Sequence, residues 1–142
     1  MERFLRYATY GAFLFAALAS LAAGVWLLFT PYTVHSLNAS AGPDAAGTLT
    51  ESVELVTFYS IQGAWGLFVL AVFALLYTSG LYFFHTGRPW LAGFASGLAL
   101  ALTALAGLSI GAVYLPAAVA SMIALALMLF TAILPPSSAG LR

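Results

Sequence analysis

Residues 89–134 read PWLAGFASGLALALTALAGLSIGAVYLPAAVASMIALALMLFTAIL with no charged side chain, and this stretch decides the fold. From Trp90 onward one straight helix would run roughly 66 Å at 1.5 Å per residue. A bilayer offers roughly 30 Å of hydrocarbon, so the stretch must turn back. Tyr114-Leu115-Pro116 is the expected corner, because proline suits the first turn of a new helix and not a helix interior. Outward from this pair lie two more apolar stretches, one ending before Pro31 and one running up to His85. The expected fold is an all-α integral membrane protein, a four-transmembrane-helix bundle of up-down topology. Its spans are placed at about 7–29, 53–84, 90–113 and 116–134 of a single membrane domain covering 1–142, with an outer loop at about 30–48.

Composition supports that reading. Of 142 residues, 63% are hydrophobic and 6% are charged, and cysteine is absent. A soluble domain of this length carries about a quarter charged residues, far more than the four Lys+Arg and four Asp+Glu present here. A water-facing surface cannot be built from so few charges, which excludes a soluble enzyme or binding domain. Zero net charge and the absence of lysine argue against a nucleic-acid partner. The missing cysteine excludes disulfides, thiolate metal sites and cysteine nucleophiles.

The few charges set the topology. Arg3 and Arg6 precede the first span, Arg88 lies between the second and third, and Arg142 follows the fourth. All positive residues then fall on one side, and Asp44, Glu51 and Glu54 fall on the other. By the positive-inside rule both termini are cytoplasmic. Tyr7, Tyr10, Tyr82 and Trp90 mark the inner border, and Trp26, Tyr32, Phe58, Tyr59 and Tyr114 the outer one. Arg3 and Arg6 also resemble the charged start of a signal peptide. The apolar run, however, continues through Val25-Trp26-Leu27-Leu28-Phe29, so an uncleaved span is expected. Thr48-Leu49-Thr50-Glu51 fits an S/T-x-x-E capping box and predicts that the second helix begins near Leu49, with Glu51 and Glu54 on one face of its first turns.

Small residues at four-residue spacing allow helices to approach closely in lipid. The first span has Ala12, Ala16, Ser20 and Gly24. The third has two such stripes, Gly93-Gly97-Ala101 and Ala95-Ala99-Thr103-Gly107-Gly111, and the fourth has Ala120 and Ala124. The second is bulky and is expected to be the element against which the others pack. Two stripes on one helix leave open whether one faces outward to dock a second copy or a partner.

Chemistry is sparse. No ionisable side chain falls within the expected hydrocarbon, which argues against a proton-coupled transporter. Gln62 is the one amide in a span, suited to a hydrogen bond between helices or to a polar ligand. His85 and Arg88 stand in Phe84-His85-Thr86-Gly87-Arg88-Pro89-Trp90, where Gly87 suits a helix end and Pro89 a turn. The same pair could contact an anionic lipid headgroup. Asp44, Glu51 and Glu54 form an acidic outer rim, a possible partner surface or, with His35, a remote metal site lacking any recognised ligand spacing. Gly107-Leu108-Ser109-Ile110-Gly111 mimics a nucleophile elbow, but inside a span and without a preceding strand. No catalytic, metal or cofactor site is expected.

The plan of four spans, cytoplasmic termini and a longer first outer loop resembles tetraspan proteins such as claudins. The chain lacks the tryptophan and paired cysteines of the claudin loop, so no residue role carries over. The expected function is therefore non-enzymatic. The chain would be an accessory or assembly subunit or a homo-oligomeric scaffold in a prokaryotic plasma (inner) membrane, with the lipid bilayer and another membrane protein or copies of itself as partners. The alternatives are a passive channel or carrier for an apolar or uncharged molecule, and an outer-face metal-dependent enzyme.

Overall fold

The structure, a computed structural model, describes residues 2–39, 49–106 and 111–133. Four helices form a bundle: α1 (Glu2–Phe29), α2 (Phe58–His85), α3 (Pro89–Ala106) and α4 (Leu115–Ile133). A single 3-10 turn, Gly111–Tyr114, leads into α4. Between α1 and α2 stands an antiparallel hairpin of β1 (Pro31–Ala39) and β2 (Leu49–Thr57). All four helices are long and apolar enough to cross a membrane. Only 22–33% of their most apolar windows is buried inside the protein. The remaining apolar surface is far more than a soluble protein leaves to water, and a hydrocarbon surround is the medium that would cover it.

α1 is the central packing element. Leu5, Thr9, Phe13, Ala16, Ser20, Ala23 and Leu27 are buried, in steps of three or four that trace one face of a helix. Phe4, Phe15, Leu18 and Val25 are exposed on its other faces. Small side chains along the buried stripe let α1 lie close to both α2 and α4. α2 packs along α3, and α3 against α4 is the loosest of the neighbouring pairs. The structure thus corrects one expectation: α1 and the bulky α2 each pack against two neighbouring helices, and α4 packs on α1 rather than on α2. α2 supplies the large core groups Leu70, Phe73 and Tyr77, which meet Ala99, Tyr114, Ala117 and Ala120. Where α2 crosses α3 and α1, a Cβ on Gly80 would stand 2.8 Å from the Ser96 hydroxyl and 3.4 Å from the Phe13 ring.

Three further differences concern where elements begin and end. The helix expected from Leu49 starts instead at Phe58, and residues 49–57 form β2. Val53, Val56 and Thr57 are β-branched, and Leu55 alternates with the polar Glu54, a pattern that fits a pleated strand better than a helix. The helix cap is Thr57. Its hydroxyl accepts from the Ser60 amide at 3.3 Å, while the Ser60 hydroxyl accepts from the Thr57 amide at 3.0 Å. The Thr48–Glu51 capping box is therefore not used, and Thr48 lies outside the described residues.

α3 ends at Ala106 rather than near 113, and Gly107 to Ile110 lie outside the described residues. Gly111 lies so close to α3 that a Cβ on it would collide with the Thr103 carbonyl oxygen. Tyr114, expected at the outer border, is fully buried, its ring centroid 4.7 Å from that of Phe73 and stacked 6.3 Å from that of Tyr77. Finally, α2 is broken at Gly63, whose φ of 54° and ψ of −144° are non-helical, a region almost confined to glycine. The break lies in the second turn, near the hairpin end.

Candidate functional site

Among the described residues, those that carry chemistry gather at the two ends of the bundle, and the buried polar side chains between them are hydroxyls. Thr9, Ser20, Ser96, Thr103 and Ser121 are buried there. The Thr9 hydroxyl donates to the Leu5 carbonyl at 2.8 Å and that of Ser20 to the Ala17 carbonyl at 2.9 Å. Such bonds back to the helix satisfy the hydroxyl without linking helices. One bond does link them: the Tyr77 and Thr103 hydroxyls lie 2.8 Å apart. Thr103 also donates to the Ala99 carbonyl at 2.8 Å, so Tyr77 of α2 donates into a chain anchored on α3. The buried Tyr114 hydroxyl has no hydrogen-bond partner among the described residues. It lies beside Gly24, where a Cβ would approach it to 3.4 Å.

At the hairpin end, β1 and β2 pair over nine positions, from Pro31 opposite Thr57 to Ala39 opposite Leu49. Glu54 pairs with Val34 and Glu51 with Leu37. Positions 51 and 54 both lie on β2, not on a helix. The shared helix face expected for Glu51 and Glu54 is not formed. Glu54 is exposed, as are Val53 and Leu55, the latter at 72%. Asp44 lies outside the described residues. Gln62 is exposed in the second turn of α2, immediately before the Gly63 break, rather than within a continuous helix. Among the described residues no three His, Cys, Asp or Glu gather as a metal set.

The opposite end joins the start of α1, the α2–α3 turn and the end of α4. Gly87, with φ of 73°, closes α2, and the Arg88 amide donates to the Phe83 carbonyl at 2.9 Å. This is the glycine-terminated helix end that the sequence led one to expect. His85 lies against Tyr10 of α1, with ring centroids 6.1 Å apart. Together they line a cleft of ≈ 450 Å³ with Arg3, Arg6, Tyr7 and Phe84. A second cleft of ≈ 410 Å³ shares Arg6 and Phe84 and extends toward Pro89 and Met128. Arg88 is exposed and lines neither cleft. His85 thus shares with Arg3 and Arg6 a cleft whose described lining does not include Arg88. In the sequence Arg3 and Arg6 read as markers of orientation and as a leader-like start. The spacing of positions 3, 6, 7 and 10 places all four on one helical face, a signal that was present but unused.

No protein-family model matches the chain, and neither curated proteins nor solved structures give a match.

Proposed function

We propose that this chain is a non-enzymatic accessory subunit of a membrane assembly, and that its hairpin engages an outer segment of a partner membrane protein. Its four helices would anchor it in a prokaryotic plasma membrane with both termini in the cytoplasm, an orientation supported by the placement of the arginines. The observation that carries the reading is the hairpin itself. Among the described residues the two nine-residue strands pair with each other alone, and β2 makes few contacts with the helices. A lone two-stranded sheet is marginal in water. Its outer edges offer unpaired backbone groups, which an added strand of a partner would satisfy. Exposed Val53 and Leu55 supply apolar anchors, and Asp44, Glu51 and Glu54 favour a partner segment of positive charge.

Blue-native electrophoresis of gently solubilised membranes tests this. The wild-type chain should migrate in an assembly containing a second protein. Val53→Asp with Leu55→Asp should release it as the free chain, with the detergent melting temperature of the bundle unchanged. An assembly that survives both substitutions would overturn the reading.

A second reading, a passive carrier for an apolar molecule, is favoured by the loose α3–α4 contact. There Leu100, Thr103, Gly111, Leu115, Ala118 and Met122 line an open groove of ≈ 570 Å³. Flux of an uncharged solute into liposomes holding only this protein would select it.

A further inference from the structure

We propose that the cleft between the start of α1 and the end of α2 binds the phosphate of an anionic phospholipid. Arg3 and Arg6 stand one helical turn apart on α1, and His85 faces them from the last turn of α2. Among the described side chains neither arginine forms an ion pair, and none of those lining the cleft is a carboxylate. Two guanidinium groups and an imidazole present several donors to one small volume, and arginine is suited to forked hydrogen bonding of phosphate oxygens. Tyr7 and Tyr10 add hydroxyl donors on the same face. The site thus has donors from α1 and α2 and, among the described side chains, no carboxylate to neutralise them.

The surroundings favour a lipid over free phosphate. Phe4, Tyr7, Tyr82 and Trp90 are each more than 60% exposed at this end of the bundle. Aromatic rings exposed at one level are the mark of a membrane–water interface. The Phe84 side chain forms part of the cleft wall, and beyond it the exposed apolar surface of α1, including Leu14 and Leu18, offers a path for acyl chains. A headgroup phosphate in the cleft would leave its chains beside that surface, whereas inorganic phosphate would use only the polar half. Arg6 also borders the second cleft and so can reach a phosphate from either side.

Native mass spectrometry of the purified full chain, given equal phosphatidylglycerol and phosphatidylethanolamine in micelles, tests the assignment. A basic residue near an anionic lipid surface is worth about fivefold in affinity, and two together about thirtyfold. The wild type should retain phosphatidylglycerol preferentially. Arg3→Gln with Arg6→Gln should lower that retention about thirtyfold. Arg88→Gln, a basic residue outside the cleft, should leave it unchanged. Should the double variant melt early, His85→Gln is the second probe, with a loss smaller than that of one arginine expected. Retention by the cleft variants equal to wild type would overturn the site, as would an equal loss in Arg88→Gln. Displacement of the lipid by millimolar inorganic phosphate would overturn its assignment to a lipid.

Discussion

The two small-residue stripes of α3 have the same spacing and nearly the same composition, yet the fold uses them oppositely. Ala95, Ala99 and Thr103 are buried, Ala99 completely. Gly97 and Ala101 are exposed, and a Cβ built on Gly97 would meet nothing within 4 Å. Only Gly93 of that stripe approaches a neighbour, the Met128 side chain of α4. Four-residue spacing of small side chains states that a close contact can form. Which stripe forms it depends on what the neighbouring helix offers. α2 presents the Tyr77 hydroxyl toward Thr103, and only one face of α3 can receive it.

Substitutions rank along this contrast. Ala99→Leu should have the largest effect, since bulk forced into a fully packed site costs about 1–3 kcal/mol, and the bundle should melt markedly earlier in detergent. Thr103→Val keeps the shape and removes the partner of Tyr77. Hydrogen bonds between helices in lipid contribute about 0.6 kcal/mol on average and up to about 1.7, so a smaller loss is expected, one that a double-mutant cycle with Tyr77→Phe should show to be shared. Gly97→Leu should be the smallest, within about 0.5 kcal/mol of wild type. A large loss there would mean that the open stripe is covered by a second copy or a partner in the membrane, and would erase the contrast.

Much of the fold was legible because it rests on gross physics. The uncharged run 89–134 had to fold back, and the glycine of Phe84-His85-Thr86-Gly87 had to end a helix. Other features turned on competition between local rules. Thr48-Leu49-Thr50-Glu51 satisfies a helix-start pattern, but Val53, Val56 and Thr57 pull the segment into a strand. The cap in use, Thr57 with Ser60, has serine where the familiar box has Glu or Gln. Tyr114 was assigned to an interface because tyrosine favours one. A tight turn through Gly111 carries it into the core instead, a consequence of three-dimensional closure that no local pattern encodes. Of the residues in the basic cleft, only His85 stands out in the sequence as a headgroup contact. Arg3 and Arg6 read there as topological and leader-like markers, because their distance from His85 in sequence hides their nearness in the bundle.

The two ends of the bundle give the account its functional sense. A hairpin with exposed apolar positions stands at one end and a basic cleft at the other, joined by helices whose outer walls are apolar. The proposed roles require those ends to face different compartments. The chain has no cysteine, so single cysteines at Glu54 and Thr86 can each be probed with a membrane-impermeant maleimide. Position 54 should be labelled on intact cells and position 86 only after permeabilisation. Labelling of 86 without 54 on intact cells, or of both, would contradict the proposed orientation and with it the outward-facing hairpin.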